Sequence, residues 1–64
     1  MRRSHIHAGT PDNFKRIREA LATLRVPGWA TVGSQLMIYV DVPTGTDPDE
    51  HQDALTALAN AVSQ

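Results

Sequence analysis

An apolar hairpin over residues 29–42 constrains the fold of this chain more than any other feature. It consists of Trp29–Val32, a Gly33-Ser34 turn and a second apolar segment over residues 35–42. Side chains alternate between the two faces of a strand. The second segment therefore has one face with Leu36, Ile38, Val40 and Val42 and an outer face with Met37, Tyr39 and Asp41. Because 64 residues provide enough helix to cover only one side of a sheet, the uncovered apolar side is expected to need a partner.

Length and composition predict one small domain over residues 1–64 and exclude several kinds of site. A chain of 64 residues buries only about 60% of its unfolded surface, so marginal stability is expected. The absence of cysteine excludes disulfides and thiolate metal sites. The net charge of −1 argues against strong nonspecific attraction to nucleic acid or to an anionic membrane.

Localisation and origin are indicated by simple patterns. No apolar run approaches the ~20 residues that cross a bilayer, and no apolar segment follows Arg2 and Arg3 to make a secretory signal. A cytoplasmic protein is therefore expected. Five arginines against one lysine, together with eight alanines, suggest a bacterium or phage with a high-GC genome.

A strand and a helix are predicted before the hairpin. Residues 2–8 alternate as in a short half-buried strand, with Ser4, Ile6 and Ala8 on one side and Arg3, His5 and His7 on the other. Thr10 is the predicted N-cap of the first helix and Pro11 its first residue. The apolar stripe of this helix consists of Phe14, Ile17, Leu21 and Leu24. Val26-Pro27-Gly28 is expected to end it.

A second helix is predicted after the hairpin. It begins at Asp47-Pro48-Asp49-Glu50, an acidic version of the capping box. Its stripe consists of His51, Leu55, Leu58 and Val62, backed by Ala54, Ala57 and Ala61. The alanine-rich side is expected to pack beside the first helix.

The order β-α-β-β-α predicts a two-layer α+β sandwich. A strand–helix–strand unit crosses over right-handedly, and the second helix returns to the same face of the sheet. The result is a three-stranded antiparallel sheet with both helices on one face, a ferredoxin-like layout that lacks the last strand. The first strand pairs with the third and lies at an open edge. The alternative is an α-β-β-α unit with a disordered N-terminus, because residues 2–8 are a weak strand pattern.

The register of the hairpin decides which face carries the single tryptophan. A two-residue Gly33-Ser34 loop pairs Val32 with Gln35 and places Trp29 on the helix-covered face. A three-residue loop pairs Val32 with Leu36 and turns Trp29 to the outer face. The two-residue loop is favoured because Gly-x is the commoner turn signal, and the outer face stays apolar in either register.

Candidate metal ligands are few. His5 and His7 share one face of the first strand and could bind zinc, with His51 as a third ligand. However, His51 begins a helix on the opposite side of the sheet, and two imidazoles are too few for a closed zinc shell. Solvated histidines are the favoured interpretation, and the sequence predicts no metal site and no cofactor.

The sequence also predicts no enzyme activity. Its acidic cluster lies where a helix dipole and cap account for most of the charges, although a weak hard-cation site is the alternative. This cluster consists of Asp47, Asp49, Glu50 and Asp53. Gly33 and Gly45 are isolated and form no phosphate-binding loop. No spacing supports a nucleophilic triad.

The predicted function is protein binding by the outer face of the sheet. The candidate binding residues are Arg3, His5, His7, Trp29, Met37 and Tyr39. An exposed apolar patch favours aggregation unless it is covered, and a two-fold axis lets the patch meet its own image. The expected partner is a second copy, bound through this face or through the open edge of the first strand, or else a different protein.

Two other interpretations of the outer face remain. Single-stranded nucleic acid is the alternative ligand, since sheet modules stack unpaired bases on exposed aromatic residues beside basic ones. Three aromatic residues and a negative net charge make nucleic acid the less favoured ligand. In the simplest interpretation Met37 and Tyr39 need no partner, because single exposed apolar residues are normal.

Overall fold

A computed structural model describes residues 2–63, in which the alternating segments form strands and the capped segments form helices. The strands are β1 (Arg3–His7), β2 (Trp29–Val32) and β3 (Met37–Asp41), and the helices are α1 (Pro11–Thr23) and α2 (Pro48–Val62). A short 3₁₀ turn over Gly33–Gln35 lies between β2 and β3. The predicted α+β class and the order β-α-β-β-α are confirmed.

The sheet is antiparallel and has the strand order β1-β3-β2. β1 pairs with β3 along its whole length, from Arg3 opposite Asp41 to His7 opposite Met37. The N-terminal segment is therefore an ordered edge strand, as predicted, and the α-β-β-α alternative is wrong. β2 forms the other edge of the sheet.

Both helices pack on one face of the sheet, as predicted. α2 lies on β1, α1 lies over β3, and the two helices contact each other. The buried apolar core consists of Ile6, Ala8, Phe14, Ile17, Leu21, Ile38, Val40 and Leu55. β2 lies outside this covered area, and three of its four residues are exposed. Within residues 2–63, neither helix is long and apolar enough to cross a membrane.

The hairpin loop differs from both predicted registers. Val32 pairs with Met37, so the loop has four residues, Gly33 to Leu36. Leu36 closes it in the left-handed conformation, with φ = 53°, and its N–H donates to the Gly33 carbonyl. Lengthening the loop from two residues to four preserves which side chains share a face. Trp29 therefore lies on the helix-covered face, as the favoured register predicted.

Helix α1 ends earlier than the proline and glycine suggested. Arg25 adopts the left-handed conformation with φ = 55°. Its N–H donates to the Ala22 carbonyl, and the Val26 N–H donates to the Leu21 carbonyl. These two bonds are a Schellman motif, which ends the helix with Leu24 as its C-cap. The prediction that Leu24 packs in the core is wrong, because this residue is 62% exposed.

The alanine side of α2 also differs from the prediction. Leu55 is buried, and His51, Leu58 and Val62 are half-buried, in agreement with the predicted stripe. However, Ala54, Ala57 and Ala61 are exposed. Ala59 is the alanine that packs against the core, because α2 is turned toward β1.

The two predicted helix caps are confirmed. The Asn13 N–H donates to Oγ1 of Thr10 at 3.1 Å, and the Asp49 N–H donates to Oδ1 of Asp47 at 3.1 Å. Each bond satisfies one of the amide groups that a helix start leaves without an intrahelical partner.

Replacing Asp47 by Ala is expected to lower the free energy of unfolding by about 1 kcal/mol, within a range of roughly 0.5–2. The loss reflects the unsatisfied Asp49 amide and should appear as a lower melting temperature in thermal denaturation. Asp53→Ala is the control, because Asp53 lies beyond the first turn of α2. Equal melting temperatures for Asp47→Ala and the unmodified chain would contradict a capping role.

Arg25→Gly is expected to raise the free energy of unfolding by about 1 kcal/mol, since glycine adopts the left-handed conformation without the Cβ penalty. Arg25→Ala serves as the control, because it removes the charge and keeps the Cβ. A stabilisation by Ala as large as that by Gly, measured by denaturant titration, would assign the effect to charge instead of backbone conformation.

Candidate functional site

The outer face of the sheet is the side that neither helix covers. It carries Arg3, His5 and His7 from β1, Ala30 and Val32 from β2, and Met37, Tyr39 and Asp41 from β3. The residues from β1 and β2 are exposed, whereas those from β3 are half-buried between them. The outer face therefore has an apolar centre with a polar row on one side and a small apolar row on the other.

Strand register fixes the neighbours within this face. Tyr39 lies between His5 and Ala30, and Met37 lies between His7 and Val32. Directly opposed residues in an antiparallel pair have Cβ atoms about 4.5–5.5 Å apart. Tyr39 and Met37 thus present one surface bordered by two imidazole rings.

An ion pair closes one end of the outer face. Nε of Arg3 donates to Oδ1 of Asp41 at 3.2 Å. A Cβ on Gly28 would lie 2.8 Å from the other oxygen of Asp41, and the φ of Gly28 is +69°. Glycine at position 28 therefore leaves room for the carboxylate. The pair is solvent-exposed and contributes little to stability. It does, however, partly neutralise the positive charge of Arg3 on the outer face.

Trp29 is the one predicted binding residue that the structure places elsewhere. It alternates with Ala30, so its ring lies on the helix side, where it packs against the core. The outer face therefore has Tyr39 as its single aromatic residue among residues 2–63. The prediction was wrong to group Trp29 with the other five residues, which do share one face.

A groove beside Trp29 was not predicted from the sequence. It has a volume of about 390 Å³ and lies between α1 and β2; its lining is Pro11, Phe14, Lys15, Arg18, Glu19, Ala22 and Trp29. The guanidinium carbon of Arg18 lies 5.5 Å from the centre of the Phe14 ring, within cation–π range. The groove exists because α1 lies over β3 and leaves β2 uncovered. Helix placement of this kind depends on tertiary packing, which no local pattern indicates.

The edge of β1 is closed in its middle by Gln52, which was also not predicted. The His5 N–H donates to Oε1 of Gln52 at 3.0 Å, and Nε2 of Gln52 donates to the His5 carbonyl at 2.8 Å. The side-chain amide thus forms the pair of hydrogen bonds that a neighbouring strand would form. Additional strands are therefore blocked at the centre of this edge.

The three histidines do not come together. Nδ1 of His51 is hydrogen-bonded to Oγ of the buried Ser4 at 2.6 Å, on the helix side of the sheet. His5 and His7 lie on the outer face. Residues 2–63 contain no group of three His, Cys, Asp or Glu residues that could hold a metal ion.

Comparison with known proteins finds no matching family model, no matching curated protein and no matching solved structure.

Gln52→Ala is expected to expose the edge of β1. Hydrogen exchange at the His5 amide should become faster, and the free energy of unfolding should fall by about 1–2 kcal/mol, the net value of one or two hydrogen bonds. Asn60→Ala is a matched control, because Asn60 lines the same cleft between α2 and β1. Unchanged exchange at His5 in Gln52→Ala would show that this amide does not protect the edge.

Proposed function

We propose that the protein is a non-enzymatic protein-binding module and that the outer face of its sheet is the binding surface. The observation that carries this proposal is the position of Met37 and Tyr39. They lie half-buried in the central strand, on a face that neither helix covers. Exposed apolar surface with a polar border is typical of protein interaction sites.

The face suits a different protein better than a second copy. The strands of five, four and five residues present a flat surface of roughly 220 Å², given a strand spacing of about 4.8 Å and a rise of about 3.3 Å per residue. A stable interface buries about 800 Å² on each partner. Two copies stacked face to face fall well short of that area, whereas a larger partner can also contact the surrounding loops.

The arrangement of side chains indicates the chemistry of the partner. Met37, Tyr39 and Val32 require an apolar surface, and a methionine beside an aromatic ring adapts readily to its neighbour. His5 and His7 lie along one border and provide hydrogen-bonding groups there. The partner surface should therefore be apolar in its centre and polar along one side.

Two observations disfavour the alternative functions. Base stacking needs aromatic residues beside a basic groove, but Trp29 lies on the helix side and Arg3 is paired with Asp41. The histidine and one of the acids that suggested chemistry have structural partners. His51 is bound to Ser4, and Asp47 caps α2.

The double variant Met37→Glu with Tyr39→Lys is expected to abolish partner binding and to keep the fold, because both side chains are partly solvent-exposed. The unmodified chain, the double variant and Arg16→Glu are each immobilised as bait, and the proteins that each of them retains are compared. Arg16 is an exposed charge of α1 and serves as the control. A protein retained by the unmodified chain and Arg16→Glu is then purified and titrated in solution, where the double variant should lower its affinity at least a hundredfold.

Equal affinity of the partner for the double variant would contradict the proposal, as would the failure to retain any protein. Labelled single-stranded RNA distinguishes the alternative. Saturable binding that is lost in Tyr39→Ala and weakens with rising salt would indicate a nucleic-acid-binding face instead.

A further inference from the structure

We infer that two copies of the chain pair through the free edge of β2 and form a continuous six-stranded sheet. The pairing is antiparallel and centred on Ala30, so Trp29 of each copy lies opposite Thr31 of the other. This inference goes beyond the proposed function and is independent of it, because the edge contact uses main-chain groups that the outer face does not use.

The hydrogen-bonding pattern between β2 and β3 leaves the main-chain N–H and C=O groups of Trp29 and Thr31 free to pair with another strand. The Asp41 N–H donates to the Gly28 carbonyl at 3.0 Å, and the same phase continues at the opposed pairs formed by Ala30 and Val32. Alternate residues of an edge strand direct their N–H and C=O groups to opposite sides. Trp29 and Thr31 therefore direct theirs away from β3, at the margin of the sheet.

The two edge strands of the sheet differ in how well they are protected against pairing with another strand. The β1 edge carries the charged Arg3 and is closed by Gln52. The β2 edge, with the sequence WATV, has no charge, no proline and no bulge in its pairing with β3. Within residues 2–63, β2 thus lacks the devices by which edge strands avoid pairing.

Only one register uses both free residues fully. A two-fold axis at Ala30 joins Trp29 to Thr31 twice and gives four main-chain hydrogen bonds. An axis at Trp29 would place Thr31 opposite Pro27, which has no N–H. An axis at Thr31 would place Trp29 opposite Gly33, which lies in the 3₁₀ turn. Ala30 suits the axis, because Cα atoms of such non-hydrogen-bonded pairs approach to about 4.5 Å.

The side chains beside the edge are compatible with this pairing. On the helix side, Trp29 of one copy packs next to Thr31 of the other, a favourable aromatic and β-branched pair.

The contact also enlarges the outer face. Ala30 and Val32 lie next to the joined edges, so the two outer faces become one surface of roughly 440 Å². The edge contact itself is short, with four residues from each copy. A reversible dimer whose population rises with concentration is therefore expected.

Cysteine crosslinking tests the register directly, since the chain has no cysteine of its own. Ala30→Cys places two thiols across the axis at a separation that a disulfide can span. Val32→Cys is the matched control, because it is exposed on the same strand and face, but the two copies of this residue lie about 13 Å apart along the strands. Under mild oxidation, Ala30→Cys should form the covalent dimer at least ten times faster than Val32→Cys.

Thr31→Pro provides an independent measurement. It removes an N–H that β3 does not use, so the fold should persist, as circular dichroism will show. Light scattering should show the mass of the unmodified chain rising from 7.0 kDa toward twice that value with concentration, and that of Thr31→Pro staying at one chain. Met37→Glu with Tyr39→Lys should dimerise normally, which separates this contact from the outer face.

Equal crosslinking rates for Ala30→Cys and Val32→Cys would overturn the inference, as would a monomer at millimolar concentration. Dimerisation that Met37→Glu with Tyr39→Lys abolishes would also overturn it and would assign self-association to the outer face. If Thr31→Pro fails to fold, the ratio of the two crosslinking rates decides.

Discussion

The burial of Ile38 and Val40 beneath the two helices is the contact on which the rest of the structure depends. Both side chains are 0% exposed, and they lie in the central strand, so they fix β1 and β2 on either side. The two helices lie toward the β1 side of the sheet and are not centred over all three strands. Because α2 lies on β1 and α1 lies over β3, the third strand is left uncovered on its helix side, and the opposite face of the whole sheet is left uncovered as well.

This placement of the helices explains why the two edges of the sheet differ. α2 leans far enough over β1 for Gln52 to reach the main chain of His5 on the open side of the strand. No helix approaches β2 in the same way, and three of its four residues stay exposed. Gln52 closes the β1 edge, whereas the β2 edge is free. A further strand can therefore pair with β2 more easily than with β1.

The features that the sequence predicted correctly have local causes. Thr10 and Asp47 cap their helices through residues two or three positions away, and the alternation of Ser4, Ile6 and Ala8 marks the buried side of β1. The errors arise at residues in unusual conformations or with distant partners. Arg25 and Leu36 take the left-handed conformation without being glycine, so neither the end of α1 nor the hairpin loop was marked by its usual residue.

The position of Trp29 shows that an incorrectly predicted loop length can still place a side chain on the correct face of the sheet. A side chain changes face only when the register shifts by an odd number of residues, so the four-residue loop and the expected two-residue loop give the same result. With its ring on the helix side, Trp29 supports the core and borders the α1 groove, while its main chain remains at the free edge. One residue therefore links the packing of the core to the part of the sheet that is available for pairing. The next residue, Ala30, lies on the outer face, whose side chains do not belong to the core.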